Sequence, residues 1–108
     1  VYENKGMFDL AEKEYHKALK KQDDWAVPYF NLGNLYYRQG NLDKAEQSFR
    51  KALDIDPDNS DVLNNFAYLL YEQDRIAEAK VLIDRALTIE SKPEYLDTRS
   101  KILEKSAD

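Results

Sequence analysis

The sequence predicts an all-α fold built from a repeated pair of helices, and three observations lead to this prediction. The chain is self-similar at an offset of 34 residues, which aligns Ala11 with Ala45 and Ala79. A second column of small residues has the same offset, at Ala18, Ala52 and Ala86. Within each frame the apolar residues recur in steps of three and four, the period of an α-helix, and no segment alternates as a half-buried strand would.

Turn residues divide the frames into six predicted helices. Gly6, Gly40 and Asp74 occupy matching positions, and Pro57 and Pro93 mark later junctions. Gly40 suits a left-handed residue after a helix, and Asp74 tolerates that conformation better than most residues do. The predicted helices cover residues 9–21, 25–39, 42–54, 60–73, 76–88 and 93–106, and residues 1–5 are expected to end an earlier helix.

The composition argues against several classes of function. The formal net charge is −5, which disfavours binding to a phosphate backbone. There is no cysteine to supply a disulfide or a thiolate ligand, and no apolar run approaches the length that spans a bilayer. We expect a soluble protein, with the cytoplasm as the favoured compartment, that binds no nucleic acid and does not insert into membranes. Because the chain begins at Val1, it is expected to be a fragment of a longer protein.

The second frame carries a family signature. It resembles the tetratricopeptide repeat (TPR) at Tyr29, Leu32, Gly33, Tyr36, Ala45, Phe49, Ala52 and Pro57. The frame from Ser60 keeps most of these positions but lacks the turn glycine and the closing proline. The resemblance implies a right-handed α-α superhelix, a TPR solenoid of antiparallel helix pairs.

The resemblance also implies a domain organisation. We interpret residues 1–108 as a single TPR domain, with a partial repeat at 1–24, full repeats at 25–59 and 60–92, and a capping helix at 93–108. The last segment has one apolar stripe, formed by Tyr95, Leu96, Ile102 and Leu103. Its otherwise polar character suits the end of a repeat array, which must remain soluble.

The same resemblance implies a peptide-binding groove. In TPR proteins to which this sequence is similar, the first helix of each repeat lines a concave face. Carried over by position, the second frame contributes Val27, Phe30, Asn31, Asn34, Tyr37 and Arg38. The third frame contributes Asp61, Asn64, Asn65, Tyr68, Tyr71 and Glu72.

Asn31 and Asn65 lie 34 residues apart in this face. A side-chain amide offers a donor and an acceptor together, so a pair of asparagines can bind the backbone of a peptide of any sequence. The alternative is that these amides only form part of the helix surface. For Tyr37 and Tyr71, packing against a neighbouring helix is an equal alternative to ligand contact.

The groove does not resemble that of TPR domains that grip a peptide's terminal carboxylate. Those domains place basic residues at positions matched here by Asp61 and Asn65. The later part of the groove is expected to be acidic, through Asp61, Glu72, Glu94 and Asp97, and its ligand to be basic or neutral there.

No set of residues predicts catalysis or a metal site. His16 is the only histidine, and an exposed surface role is the simplest interpretation. Asp54, Asp56 and Asp58 have the spacing of a calcium loop, but Pro57 interrupts it and the later glutamate ligand is missing. We therefore expect no enzyme activity, no catalytic residues and no cofactor.

Two functions remain from the sequence. The first is a protein–protein interaction scaffold that holds an extended peptide or a partner helix in the groove. The alternative is a self-assembly module that forms homo-oligomers by stacking of repeats through its N-terminal end, where apolar residues include Met7, Phe8 and Leu10.

Overall fold

The computed structural model describes the backbone of residues 2–21 and 25–106, and the side chains of residues 6–17 and 25–106. Throughout these residues the regular structure is helical, which confirms the predicted all-α repeat class. The helices are α1 (Tyr2–Lys21), α2 (Ala26–Arg38), α3 (Leu42–Ile55), α4 (Ser60–Glu72), α5 (Ile76–Ile89) and α6 (Pro93–Ser106). They form two compact units, Val1–Pro57 and Asp58–Asp108. The prediction of one domain stays a prediction.

The expected turn at Gly6 is wrong, because α1 runs without interruption from Tyr2 to Lys21. Gly6 lies inside this helix and does not have the positive φ angle found at Gly40. A glycine within a helix costs only about 1 kcal/mol relative to alanine, so a single glycine does not end a helix. Residues 2–5 therefore belong to α1, not to an earlier helix.

The turns after α2 and α4 are built alike. Gly40 has a φ angle of 80° and Asp74 one of 65°, which confirms the left-handed conformation expected at both. The amides of Gly40 and Asn41 donate to the carbonyls of Tyr37 and Tyr36, at 3.0 and 2.8 Å. The corresponding bonds after α4 run from Asp74 to Tyr71 and from Arg75 to Leu70, at 3.0 and 2.9 Å. Both turns are Schellman motifs, which satisfy the last carbonyls of each helix.

The helix starts are less uniform. Asn41 and Asn59 cap α3 and α4 by accepting from the amides of Lys44 and Val62, at 3.4 and 3.2 Å. Trp25 precedes α2 in an extended conformation, forms no side-chain cap, and is 45% exposed. The two asparagines therefore fix where α3 and α4 begin.

In the first unit, small residues allow α2 and α3 to approach closely. Ala45 and Ala52 are 0% exposed, and Phe49 is 1% exposed. The Phe49 ring lies directly against Gly33, where a Cβ atom would come within 2.5 Å of it. The recurrence of small residues therefore has a packing cause.

In the second unit, α4, α5 and α6 share one core. Its fully buried residues include Leu63, Phe66, Ala67, Ala79, Ile83, Ala86, Tyr95 and Ile102. The buried side of α6 consists of Tyr95, Thr98 and Ile102. The predicted stripe is wrong in part, because Leu96 is 52% exposed.

The register of α6 explains this difference. Tyr95 follows Asp61 by 34 residues, yet Asp61 is exposed and Tyr95 is buried. The 34-residue register that relates the earlier helices therefore does not continue into α6.

Candidate functional site

The predicted ligand-facing residues of α2 lie on one side of that helix. Asn31 and Asn34 are half-buried, and Arg38 is exposed. Phe30 is committed to packing, since its ring centroid lies 6.3 Å from that of Phe49. Asn31 and Asn34 are therefore the best placed of the set for hydrogen bonding to a ligand.

Arg38 and Tyr37 stand near the end of α2. The Arg38 guanidinium lies 5.8 Å from the centroid of the Phe8 ring, a cation–π contact with α1. Tyr37 is half-buried, consistent with the alternative of partial packing. Arg38 therefore already has a partner within its own unit.

The predicted ligand-facing residues of α4 differ from one another in burial. Asn64 is only 8% exposed, and its Nδ2 donates to Oδ1 of Asn65 at 3.3 Å. Oδ1 of Asn64 is buried with no hydrogen-bond partner among the described residues. Asn65 is half-buried and therefore the more accessible of the two amides.

Asp61 forms hydrogen bonds with α6 and with the loop before it. Its carboxylate accepts hydrogen bonds from the Tyr95 hydroxyl and from Nζ of Lys92, the latter at 3.1 Å. The Tyr95 bond is the main cause that lowers the pKa of Asp61. Burial and the Asp61 carboxylate raise the pKa of Tyr95, and Asp61 also raises the pKa of Lys92. Asp61 therefore has a structural role in the second unit.

Tyr68 and Tyr71 form a second contact between α4 and α6. Their ring centroids lie 5.7 Å apart. Lys101 lies 5.3 Å from the Tyr68 centroid, and Lys105 lies 5.1 Å from that of Tyr71. Both tyrosine rings are therefore in cation–π contact with lysines of α6.

These contacts change the charge expected in this region. Lys101 is paired with Asp97 at 3.1 Å, and this contact raises the lysine pKa. Asp61 is likewise paired with Lys92. Two of the four carboxylates expected to make the groove acidic are thus balanced by lysines, which weakens that expectation.

Sequence reasoning missed a cleft of about 250 Å³ in the first unit. Its floor is formed by Tyr29, Leu32 and Tyr36 of α2. One wall is His16 of α1, and the other is formed by Lys44, Gln47, Ser48 and Lys51 of α3. The sequence signal was the spacing of Lys44 and Lys51, seven residues or about two helical turns apart.

The tyrosines of this lysine cleft are held in place by charged neighbours. The Tyr36 hydroxyl donates to Oε2 of Glu12 at 2.6 Å, and burial with this contact raises the pKa of Tyr36 to about 12. Lys44 lies 5.5 Å from the Tyr36 centroid, and Lys51 lies 6.0 Å from that of Tyr29. The α3 wall therefore carries positive charge over an aromatic floor.

Within the described residues, no group of three or more histidine, cysteine, aspartate or glutamate side chains is arranged to hold a metal ion. His16 is exposed and lies 3.6 Å from Oε2 of Glu12. None of the helices in the described part of the chain combines the length and apolar character needed to cross a membrane.

Comparison with known families agrees with the repeated architecture. Two sequence models of the tetratricopeptide repeat match the chain, one over residues 26–59 and the other over residues 48–81. Their combined span, 26–81, contains the Tyr29 to Pro57 signature, the Gly33 packing site and both Schellman turns. The chain belongs to the tetratricopeptide-repeat family.

Solved TPR structures share this fold at low sequence identity. The first TPR of Spaghetti (RPAP3), bound to the HSP90 peptide SRMEEVD, is 21% identical with a TM-score of 0.88, and the match covers 99% of this chain and 86% of that one. The first TPR domain of human RPAP3 is 21% identical with a TM-score of 0.87, covering 98% of this chain and 84% of that one.

A third similar structure is YrrB, described as a TPR protein with an unusual peptide-binding site. It is 22% identical with a TM-score of 0.81, and the match covers 86% of this chain but only 48% of YrrB. No curated protein sequence matches the chain.

Proposed function

We propose that this TPR chain is a protein-interaction scaffold that binds extended peptide segments, and that the side-chain amide of Asn31 on α2 and that of Asn65 on α4 each contribute to binding. The observation that carries the proposal is the recurrence of a half-buried asparagine at the same place in both helices, Asn31 and Asn65. A half-buried amide can still present one edge to a ligand. Such an amide can bind a ligand's backbone without reading its side chains, because it offers a donor and an acceptor together.

The similar structures support this class of function. One similar TPR domain is bound to a peptide, and another is described by its peptide-binding site. Because these structures are only 21% and 22% identical to this chain, they establish its fold but not its ligand. A site must be argued from its own residues, because one fold serves many functions.

The residues of this chain favour a ligand held by its backbone over one held by a terminal carboxylate. Asp61 is acidic where a carboxylate-binding TPR domain would be basic, and its carboxylate already accepts from Tyr95 and Lys92. Asn65 is uncharged, and the amide of Asn64 already donates to it. We therefore propose a neutral, internal peptide segment as the ligand, with modest affinity.

The test begins with selection of a binding peptide from a phage-displayed library of random sequences. Fluorescence polarisation then compares the wild-type chain with the double variant Asn31→Ala/Asn65→Ala. The loss of two hydrogen bonds, each worth about 0.5–1.5 kcal/mol, should weaken binding by roughly 5- to 140-fold. Neither side chain belongs to the fully buried core, so the loss of stability should be limited to that of the Asn64–Asn65 hydrogen bond, and the helical melting curve should show that the variant is folded.

A matched control is available in Gln39→Ala/Gln73→Ala. These residues are also amides 34 residues apart, and they occupy the C-caps of α2 and α4. This control should retain the affinity of the wild-type chain. Unchanged affinity in the asparagine variant would rule out the proposed role of the two amides.

Self-assembly is a second candidate, favoured by exposed apolar residues on α1. Met7 is 68% exposed and Leu10 is 64% exposed. Met7, Phe8, Ala11, Leu35 and Arg38 line a neighbouring cleft of about 320 Å³. Contiguous apolar surface of this kind often marks an interface.

Sedimentation equilibrium over a range of concentrations tests this candidate. Self-association that disappears in Leu10→Glu but persists in Val81→Glu would support it, because Val81 is equally exposed, at 61%, on α5. A chain that stays monomeric at all concentrations would refute self-assembly and would leave the peptide-binding proposal unaffected.

A further inference from the structure

The lysine cleft lies on the side of α2 opposite to the proposed amide site. In a helix with 3.6 residues per turn, successive residues are rotated by about 100°. This rotation places Tyr29, Leu32 and Tyr36 together, and Asn31 and Asn34 on the far side. A ligand in the cleft therefore does not compete with a peptide bound at the asparagines of α2.

The two walls of the cleft differ in charge. On α1, the Glu12 carboxylate accepts from Tyr36 and lies 3.6 Å from Nε2 of His16. On α3, Lys44 and Lys51 are exposed. Among the described residues, their charged or aromatic contacts are to the faces of Tyr36 and Tyr29, at 5.5 and 6.0 Å. The α3 wall can therefore bind an anion with few existing contacts to break.

The size and floor of the cleft limit what can enter. A volume of about 250 Å³ lies below the roughly 300–1,000 Å³ of pockets that hold drug-sized ligands. The floor consists of two tyrosine rings and Leu32, which is 2% exposed. One medium-sized apolar side chain fits this space.

We infer that the lysine cleft binds an acidic, extended segment of a partner protein, which inserts one apolar side chain between carboxylates that pair with Lys44 and Lys51. The spacing supports this occupant. Residues seven apart on α3 are separated by about 10.5 Å along its axis, at 1.5 Å per residue. In a polyproline II segment, residues three apart lie on one side about 9.3 Å apart. Acidic residues at positions i and i+3 thus match the two lysines, with the apolar residue between them.

The positive charge of the lysine cleft is a local exception in a chain that is acidic as a whole. The protein as a whole carries a net charge of −5, which repels an acidic partner at long range. At about 0.1 M salt the screening length is near 10 Å, so the two lysines control the interaction once the partner is in contact. Binding should therefore strengthen up to moderate salt and not depend on long-range attraction.

The probe is the peptide Gly-Ser-Glu-Glu-Leu-Glu-Gly-Ser, blocked at both ends and titrated into the ¹⁵N-labelled chain. Amide chemical shifts should move at residues 44–51 and at Tyr29 and Tyr36. Replacing the leucine by glycine should weaken binding at least threefold, and replacing the glutamates by glutamine should weaken it further. Shifts confined to other residues, or equal binding of all three peptides, would overturn the inference.

Protein variants supply the matched control. An exposed ion pair of about 0.2–1 kcal/mol changes a dissociation constant roughly 1.4- to 5-fold, and charge reversal adds a repulsion of similar size. Lys51→Glu should therefore weaken binding about 2- to 25-fold. Lys80→Glu makes the same charge change at an exposed site on α5 and should alter it less than about twofold.

The outcome for Asn31→Ala/Asn65→Ala separates this inference from the proposed function. That variant should bind the acidic peptide as the wild-type chain does. Equal weakening by Lys51→Glu and Lys80→Glu would refute a specific cleft. Loss of acidic-peptide binding in the asparagine variant would likewise refute it, by placing the ligand on the other side of α2.

Discussion

Replacing Gly33 by alanine tests the packing of α2 against α3. The added Cβ atom would lie 2.5 Å from Cδ1 and Cε1 of Phe49, and 3.0 Å from its Cζ. Carbon atoms in contact are normally about 3.5–4.0 Å apart, so the ring would have to move by about 1 Å. Phe49 is 1% exposed and packs near Phe30, so it cannot move into solvent.

The expected magnitude combines two opposing effects. Overpacking of a core typically costs about 1–3 kcal/mol, while alanine stabilises a helix by about 1 kcal/mol relative to glycine. We expect Gly33→Ala to lower the free energy of unfolding by about 1 kcal/mol. Gly6→Ala is the matched control, because nothing lies within 4 Å of its added Cβ atom. It should stabilise by about 0.5–1 kcal/mol, so the two variants should differ by about 2 kcal/mol.

Urea denaturation followed by far-ultraviolet circular dichroism measures both variants. The slope with denaturant should stay constant, so that midpoints compare stabilities directly. A third variant, Phe49→Leu, should be less harmful in the Gly33→Ala background than in the wild-type chain, since it makes room for the methyl group. Equal stability of the two glycine variants would refute the packing argument.

Three further predictions concern the two units. Tyr36 has a pKa raised from 10.0 to about 12, so its contribution to stability is present below pH 10 and lost as the pH rises to 12. Denaturation curves of Tyr36→Phe should therefore show a smaller loss of stability between pH 10 and 12 than those of the wild-type chain. The same pH profile in both proteins would contradict this. Asp61 has a lowered pKa, so its contribution is present above its ordinary value of 3.8 and lost as the pH falls further. Asp61→Ala should therefore destabilise by about 1 kcal/mol or less at pH 7, because its side chain is half exposed, and by less still at pH 3. Asp54→Ala serves as the exposed control, and a deficit as large at pH 3 as at pH 7 would count against the assignment. Ala45 is 0% exposed, so Ala45→Leu should cost about 1–3 kcal/mol in thermal unfolding, whereas Ala77→Leu at an exposed site on α5 should be nearly neutral.

The helices could be predicted from the sequence because their packing repeats. Ala45 and Ala79 are both 0% exposed, as the shared column requires, and Gly40 and Asp74 adopt the same backbone conformation. The error at Gly6 arose because glycine is compatible with both a turn and a helix interior. Gly40 is followed by Asn41, which caps the next helix, whereas Met7 after Gly6 offers no such cap.

The details of the candidate site depend on contacts that a repeat pattern does not contain. The burial of Asn64 could have been inferred from Phe30, which occupies the same position one frame earlier and packs on Phe49. The pairing of Lys101 with Tyr68 depends on the register of α6, which leaves the 34-residue repeat. The lysine cleft was missed because its walls belong to helices distant in sequence.

The position of Trp25 has a practical consequence for following the protein in solution. It is the only tryptophan of the chain, it stands at the start of α2, and it is 45% exposed. The fluorescence of Trp25, excited selectively, therefore reports on the first compact unit alone, whereas circular dichroism reports on the helices of both units. Coincidence of the two signals during unfolding would mean that the units melt cooperatively, and their separation would give each unit its own transition.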